Sequence, residues 1–331
     1  MPLFGVFKLH FKPLIVYLAH DGSGIATTLT INFEGMRFMT DSLALKNFDL
    51  RLESIDKNIL TTGQIQESML RLLAQFKDLQ LDFQTKQLQA THKNPLNSFG
   101  KKCFSQTDED GITLEIVRRL GLTNGVYAEF GVGNGLENNT LILAACGWKG
   151  FWVGGEDLVF DYSKATKFHN IQAWITIDNI LNHAQTGMNA LDASEIDILS
   201  LDLDGNDIYF LEKLLVGGIR PKLFIAEYNG KFIPPAKFQI AYDPEHLWIG
   251  DDYFGAALTN LVEMFDKYGY RLICCNSHNG ANAFFINRDY EDLFNDVPKD
   301  INDIYVAPRY HLYNAYGHKK SPRVVESILN K

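Results

Sequence analysis

Cysteine is scarce in this sequence, with 4 copies among 331 residues, and the spacing of those copies matches no zinc site. The four are Cys103, Cys146, Cys274 and Cys275. Adjacent cysteines seldom bridge each other, and disulfide-rich folds are typical of secreted proteins, so we expect reduced thiols and a cytoplasmic protein. We predict that Cys146, in a helix, and Cys274, at the end of a strand, are small core residues.

Positive charge and long apolar runs are also in short supply. The chain has 31 lysines and arginines against 40 acidic residues, a net charge of −9, and no basic run. Binding to a nucleic-acid backbone relies on clustered basic side chains, so we expect no nucleic-acid partner. A membrane-spanning helix needs about 20 apolar residues, whereas the apolar stretch at residues 2–19 is interrupted by Lys8, Lys12 and Pro13. We expect no transmembrane span and interpret residues 1–40 as a leader of uncertain structure, with an anchor at a membrane interface as the open alternative.

Residues 41–92 have the apolar spacing of coiled-coil helices. Two series of apolar residues are separated by a phase break at Thr61-Thr62-Gly63. The first series is Leu45, Phe48, Leu52, Ile55 and Ile59, and the second is Ile65, Met69, Leu72, Phe76, Leu79 and Phe83. The break predicts either a helical hairpin or an interrupted coiled coil. Such helices could pack on the rest of the chain or join copies of it into a homo-oligomer, and both interpretations stay open.

The remainder of the chain, residues 93–331, alternates strands with helices from Gln106 onward. Seven strands are predicted, at 125–130, 150–153, 171–177, 196–202, 222–228, 270–275 and 282–287, with helices between them that include 136–146 and 253–268. Helical crossovers between apolar strands predict an α/β fold with a parallel, doubly wound sheet. Only NSHNGA separates the last two strands, which is too short for a parallel crossover, so the final strand should be antiparallel.

A glycine-rich turn, EFGVGNG at residues 129–135, follows the first predicted strand and precedes a helix. Glycines allow backbone amides to approach a ligand, and the start of a helix carries a partial positive charge. A dinucleotide fingerprint, G-x-G-x-x-G, would need a glycine where this chain has Leu136. The observed G-x-G-x-G, with an acid two residues before it, resembles motif I of class I S-adenosylmethionine (SAM) methyltransferases.

Acidic or amide residues stand at five consecutive predicted strand ends. In order along the chain they are Glu129, then Glu156, then Asp178 with Asn179, then Asp202, Asp204 and Asp207, and finally Glu227 with Asn229. Ligands of doubly wound sheets bind beyond the carboxyl ends of the strands. One acid there is commonly just solvated, but five consecutive polar ends indicate a ligand site. We expect the second strand end to meet ribose hydroxyls and the third to meet an adenine edge.

The phrases CFSQTDEDG, EFGVGNGLENNTLIL, GWKGFWVGGED, LSLDLDGNDIYFL, PKLFIAEYNG and NAFFINRD together resemble the FkbM-like SAM methyltransferases. The resemblance covers residues 103–290 and leaves the helical segment and the C-terminal tail outside it. It implies a class I, Rossmann-like, seven-stranded methyltransferase sheet and SAM as the cofactor. It also implies that SAM is bound by Glu129, Gly131, Gly133 and Gly135, with Gln106 and Glu109 near its amino-acid end and Asn179 near adenine.

One position departs from the resemblance. Similar sequences have a ribose-binding glutamate where this chain has Gly154, and the next acid, Glu156, falls two residues later. Either Glu156 reaches back through a changed turn or the ribose is held more loosely. If the first is true, Glu156→Ala should weaken SAM binding, and restoring the acid with Gly154→Glu in that variant should strengthen it.

Two catalytic arrangements are open at the fourth and fifth strand ends. Asp202, Glu227 and Asn229 offer the oxygen ligands that Mg²⁺ prefers, and a bound ion could lower the pKa of an acceptor hydroxyl. Without a metal, Asp202 would bind the cofactor's amino group and Asp204 or Glu227 would be the general base. His246 and Trp248, in the following loop, are expected to border the acceptor pocket.

These observations predict a SAM-dependent methyltransferase that methylates a hydroxyl of a sugar or glycan precursor. Two alternatives remain. A nicotinamide-dependent oxidoreductase shares the strand-turn-helix pattern, although the glycine spacing argues against it. A non-catalytic assembly or binding protein could retain the fold, using residues 41–92 for its partners and keeping an altered cofactor pocket at Gly154.

Overall fold

The computed structural model describes residues 42–308 and Arg323. The predicted leader, residues 1–40, lies outside the described residues. The chain divides after Arg71 into two compact units, and the second unit, which begins at Leu72, contains the sheet. Among the described residues, no helix is both long enough and apolar enough to cross a membrane.

A seven-stranded sheet forms the centre of the second unit. Its strands are β1 (Val126–Phe130), β2 (Lys149–Gly154), β3 (Phe168–Gln172), β4 (Ile198–Leu201), β5 (Leu223–Glu227), β6 (Tyr270–Cys275) and β7 (Asn282–Asn287). They lie in the order β3-β2-β1-β4-β5-β7-β6, in which β1 to β5 are parallel and β7 runs antiparallel between β5 and β6. The predicted antiparallel last strand is confirmed, and the topology is that of class I methyltransferases.

Helices connect the strands and cover the sheet, which explains why β1, β4 and most of β5 are buried. In chain order, the helices of the described residues are α1 (Ser42–Thr91), α2 (Glu109–Arg119), α3 (Leu141–Ala145), α4 (Ile180–Ala190), α5 (Asp207–Val216), α6 (Leu258–Lys267) and α7 (Ile301–Ile304). Helices α1 and α2 precede the first strand. Helix α2 has acids in its first turn and arginines in its last, which matches the helix dipole. Because β1, β2, β4 and β5 are parallel, their carboxyl ends lie at the same edge of the sheet.

Helix α1 differs from its prediction. It is one continuous helix through Thr61-Thr62-Gly63, so a helical hairpin is wrong. The hydroxyls of Thr61 and Thr62 donate to the carbonyl oxygens of Lys57 and Asn58 one turn earlier, at 2.7 Å each. Threonine satisfied in this way is tolerated inside a helix, and a single glycine costs only about 1 kcal/mol there.

Three other predictions needed correction. Helix α3 begins at residue 141 rather than 136, because the carboxylate of Glu129 binds the backbone amides of residues 139 and 140. Strand β3 occupies 168–172 rather than 171–177, because its register with β2 ends where β2 ends, at Gly154. Cys146 is exposed because α3 stops one residue before it, whereas Cys274 is buried as predicted, and all four cysteines are free.

Candidate functional site

Gly131 is required by the fold itself. Its φ of +95° is one that side chains rarely adopt, and a Cβ there would lie 1.6 Å from the carbonyl oxygen of Asp202 on the neighbouring strand end. The chain of β1 therefore turns directly against the end of β4. This close approach brings the glycine turn and the acids after β4 to one place.

Gly133 and Gly135 have different surroundings. A Cβ on Gly133 would meet nothing closer than the Glu156 carboxylate, at 3.8 Å, and its φ lies outside the left-handed region. A Cβ on Gly135, at φ +85°, would lie 2.8 Å from both Leu158 and Phe160. Gly135 thus packs against the loop after β2, while Gly133 has open space in front of it that no part of the described fold needs.

Gly154 has a packing reason that the sequence did not reveal. A Cβ at this position would lie 1.9 Å from the carbonyl oxygen of Val132. No glutamate fits there without moving the glycine turn, so the expectation that Gly154→Glu would strengthen cofactor binding is wrong. The nearby acid is Glu156, whose carboxylate faces Gly133.

We call the space between these elements the glycine-side cavity. Its volume is about 550 Å³, within the usual range for small-molecule sites. Its walls include Gly131, Gly133, Glu156, Trp174, Ile175 and His246. Gly135 is not among the residues that line it.

The residues expected at the adenine edge do not line this cavity. Asp178 is exposed, and Asn179 stabilises the turn after β3: its Oδ1 accepts from the amide of Thr176 at 2.8 Å and its Nδ2 donates to the carbonyl of Trp174 at 2.9 Å. That turn presents Trp174, whose side chain is 58% exposed, beside Ile175. The sequence did not indicate this residue, because the third strand was predicted at 171–177, which includes Trp174.

Glu129 fixes the loop beyond the glycines. Its oxygens accept from the amides of Asn139 and Thr140, at 2.9 Å each, and from the Thr140 hydroxyl at 2.5 Å. Trp152 on β2 in turn donates to that hydroxyl. Burial raises the pKa of the Glu129 carboxyl, while these donors act in the opposite direction. The side chain thereby joins β1, the start of α3 and β2 at the floor of the site.

Three carboxylates converge where β4 and β5 end. Oxygens of Asp202, Asp204 and Glu227 lie within 4.8 Å of one another. Burial raises the pKa of Asp202 well above its usual range, and the charges of Asp207 and Asp204 raise it further. The pKa of Glu227 is raised for the same two reasons, burial first and then the charge of Asp202. Such a group of acids favours a proton, a cation or a cationic ligand between its members.

The backbone around this cluster is strained. Asp204 has a φ of +53°, a conformation that costs an ordinary residue free energy and that is commonly found at functional sites. Asp207 maintains it, because its carboxylate accepts from the amides of Leu203 and Gly205 at 2.7 and 2.8 Å. Burial raises the pKa of Asp207 to about 6. Asp207 is therefore a positioning residue, whereas Asp204 is exposed to the cavities.

A second space, the acid-side cavity, has a volume of about 360 Å³ and lies between the ends of β1, β4 and β5 and residues 279–282. It shares Gly131, Asp202, Asp204 and Trp248 with the glycine-side cavity. Three of its lining residues have a buried oxygen that accepts no hydrogen bond from any described residue: Asn138 Oδ1, Glu227 Oε2 and Asn282 Oδ1. All three are acceptors, so a matching ligand brings donors or positive charge.

Gln106 and Glu109, both expected near the amino-acid end of the cofactor, are separated by the structure. Gln106 is exposed and lines the acid-side cavity. Glu109 is fully buried and accepts from Thr107, Asn276 and Asn282. It supports residues 276–282 from beneath and is not part of the cavity lining.

Asn229 and Trp248 also border the acid-side cavity. The Nδ2 of Asn229 donates to the carbonyl oxygens of Asp252 and Phe254, at 3.2 and 3.0 Å, and its Oδ1 accepts from the amide of Lys231. Lys231, which lines the same cavity, pairs with Asp252. Asp204 is therefore better disposed than Asn229 to be the third ligand beside Asp202 and Glu227.

No protein-family model matches this sequence, and no curated protein is similar to it. Solved structures that resemble it include the MycE methyltransferase of the mycinamycin biosynthetic pathway, in complex with Mg, SAH and mycinamycin VI. The two chains share 13% identity over 52% of this chain and 47% of that one, with a TM-score of 0.33. This chain thus spans about half the length of that protein.

Two further solved structures are similar to a comparable degree. One is a Burkholderia thailandensis 1,6-didemethyltoxoflavin-N1-methyltransferase with bound S-adenosylhomocysteine, at 14% identity over 53% of this chain and 74% of that one, with a TM-score of 0.32. The other is an O-methyltransferase family 2 protein from Planctomyces limnophilus, at 8% identity over 49% and 50%, with a TM-score of 0.30. With every TM-score below 0.5, these likenesses carry no weight for the function of this chain.

Proposed function

We propose that this chain is a SAM-dependent methyltransferase of the FkbM-like kind that methylates a hydroxyl group of a sugar or glycan precursor. The observation that carries the proposal is Gly133. A side chain at Gly131 or Gly135 would overlap neighbouring atoms of the fold, whereas a side chain at Gly133 would project into the cavity. That space adjoins an acid, Glu156, and a largely exposed indole, Trp174, which suit a ribose and an adenine.

The two cavities together suit the whole cofactor. Glu156 would hold the ribose hydroxyls, and Trp174 with Ile175 would flank the base. The amino-acid end of SAM carries a carboxylate and an ammonium, and the ammonium is a donor that suits Asn138 Oδ1, a buried acceptor without a donor among the described residues. Asp202 and Asp204, shared by both cavities, supply the negative charge that suits a cation.

When bound, SAM supplies a methyl group on a positively charged sulfur for in-line transfer to an oxygen nucleophile. The residues of this chain then have three tasks: they hold the acceptor hydroxyl in line, accept its proton and exclude water. Glu227 is well suited to accept the proton, because burial and the charge of Asp202 raise its pKa and make its carboxylate a stronger base. Asp204, whose pKa is also raised by partial desolvation at the mouth of the cavities, is the second candidate base.

A sugar is favoured as the acceptor by the chemistry of the acid-side cavity. Sugar hydroxyls are donors, and Glu227 Oε2 and Asn282 Oδ1 are buried acceptors without donors among residues 42–308. Trp248, at the border of the same cavity, offers an aromatic face to a sugar ring. Its indole nitrogen donates to the Asp251 carbonyl at 2.7 Å, which fixes the orientation of the ring.

Alternatively, the same acids could bind a divalent metal ion. Asp202, Asp204 and Glu227 would hold Mg²⁺, and the ion would lower the pKa of an acceptor hydroxyl. The raised pKa values of Asp202 and Glu227 support a cation at this place. If a metal is used, turnover should vanish in EDTA and return with Mg²⁺ or Mn²⁺, while SAM affinity changes little. Full turnover in EDTA, with no metal found by elemental analysis, would leave Glu227 or Asp204 as a plain base.

The proposal is tested by methyl transfer itself. Purified full-length protein is incubated with SAM and a panel of sugar nucleotides and glycan precursors, and release of S-adenosylhomocysteine is measured. We expect release that depends on one class of sugar, and a methyl group missing from the glycans of a deletion strain. SAM binding without transfer to any sugar would support SAM as the cofactor and refute a sugar as the methyl acceptor. The non-catalytic alternative loses one of the two observations that suggested it, since Gly154 is required by packing against Val132.

A further inference from the structure

Helix α1 has two apolar faces, and one of them has no partner among the described residues. Within residues 72–91, Leu81 is 4% exposed and Leu88 packs against the core of the sheet. Leu72 and Phe76, by contrast, are 64% and 67% exposed, and Leu79 is similarly uncovered. The end of α1 is thus attached to its own domain by one face, while a second apolar face stays open.

The two faces lie on opposite sides of the helix. Successive residues of an α-helix are about 100° apart, so Phe76 and Leu79 together define a stripe whose centre lies about 170° from Leu81. No repacking of the second unit on α1 could cover both stripes at once. We call the uncovered stripe of Leu72, Phe76, Leu79 and Phe83 the seam.

The first part of α1 carries the same pattern. Leu52, Ile55, Ile59, Ile65 and Met69 are all exposed. Met69 lies ten positions after Ile59, and ten is one heptad plus three residues. An insertion of three residues is a known irregularity that a coiled coil absorbs by local overwinding, so the helix continues through it. The phase break at Thr61-Thr62-Gly63 is therefore compatible with one uninterrupted coiled coil.

We propose that α1 pairs with α1 of a second copy of this chain as a parallel, in-register coiled coil along the seam. Parallel pairing in register places the three-residue insertion of one helix beside that of its copy, so that equivalent apolar residues meet in every layer of the coiled coil. It also sets Arg51, at a g position, beside Asp56 of the copy at the following e position, which pairs opposite charges. Among the flanking positions of the second series, Gln75 and Gln80 are uncharged, and Asp82 pairs with Lys86 of its own helix.

The pairing leaves each catalytic domain free. Leu81 and Leu88 attach the domain on the side of α1 that faces away from the seam. Both cavities of the site are lined by residues of the second unit alone. The inference therefore does not rest on the proposed function and would stand if that function failed.

Light scattering on the full-length chain tests the pairing with matched double variants. Leu72→Asp with Phe76→Asp places charge in the seam, and Leu60→Asp with Leu70→Asp makes the same change at equally exposed positions outside it. We expect the wild type and the outer variant at twice the chain mass of 37.5 kDa, and the seam variant at one chain mass. Circular dichroism checks that all three keep the sheet domain folded.

Three results would overturn the inference: a monomeric wild type, an assembly of three or more copies, or equal dissociation of both double variants. Orientation is tested by Leu79→Cys in a background with the exposed Cys103 and Cys146 changed to serine. A parallel, in-register pair brings the two new thiols together, so mild oxidation should give a covalent dimer. No dimer there would contradict the parallel arrangement, and Leu70→Cys, outside the seam, is the control expected to stay uncoupled.

Discussion

The glycine-side and acid-side cavities are neighbours that share four residues, yet they are built differently. The first is shaped by backbone, with Gly131 turned against β4 and Gly133 open to the space beside Glu156. The second is shaped by buried oxygens, with three converging carboxylates and three acceptors that lack donors among the described residues. The difference suggests that one cavity selects a cofactor by its outline while the other prepares a hydroxyl for reaction. Substitutions in the two cavities should therefore fail in different ways.

The largest expected effect is at the glycine that both cavities share. Gly131→Ala should cost about 3–5 kcal/mol of folding free energy, because it combines a strained φ with an overlap against the Asp202 carbonyl. Urea denaturation of the wild type and the variant measures it. Gly133→Ala is the matched control and should lie within about 0.5 kcal/mol of the wild type. Equal stability of the two variants would mean that the glycine turn is not set by β4.

The next effect separates turnover from binding. Glu227→Gln keeps the size of the side chain and removes its charge, so turnover should fall about 100-fold or more while the SAM dissociation constant changes less than about threefold. Steady-state kinetics at saturating SAM, together with calorimetry, give both quantities. A variant that loses SAM affinity and keeps its turnover rate would reverse the roles assigned to the two cavities.

The converse change lies in the glycine-side cavity. Glu156→Ala should weaken SAM binding by about 1–3 kcal/mol, the scale of a hydrogen bond to a charged group. Turnover at saturating SAM should stay near the wild-type value, because Glu156 does not line the acid-side cavity. Unchanged affinity would show that the ribose is held by another group.

The sequence predicted the fold better than the details of the site, for physical reasons. Apolar runs predict the strands, and the short NSHNGA connection predicts the antiparallel last strand, because both depend on local pattern. The role of Gly154 depends on how closely Val132 approaches it, which is a contact between β2 and the glycine turn after β1. Likewise, Glu109, at the start of α2, and Asn179, after β3, were expected to bind the cofactor, but their side chains bind their own fold.

The structure of helix α1 was also only partly predictable from the sequence. Its heptads were visible, but the continuity of the helix and the separate face formed by Leu81 and Leu88 depend on tertiary packing. Trp174 was missed because an exposed aromatic residue after a strand has no pattern of its own until the loop is placed beside the glycines.

The smallest expected effect concerns pH and lies beneath the acid-side cavity. Burial, and next the charge of Asp108, raises the pKa of Glu109. A raised folded-state pKa means that the folded protein binds more protons, so this stabilisation is full below the unfolded pKa and is lost as pH rises through the folded one. Between pH 5 and 7.5 the melting temperature should therefore fall less in Glu109→Gln than in the wild type. We expect a difference on the order of 2–4 °C by calorimetry, and a larger fall in the variant would contradict the assignment.

The central claim, that the space in front of Gly133 holds SAM, is tested most directly by isothermal titration of the full-length chain with SAM and, separately, NADH. We expect the wild type to bind one SAM per chain and no NADH. Gly133→Val should remain folded, because the fold itself leaves room for a side chain there, yet bind no SAM. Unchanged SAM affinity in a folded Gly133→Val variant, or binding of NADH in place of SAM, would contradict it.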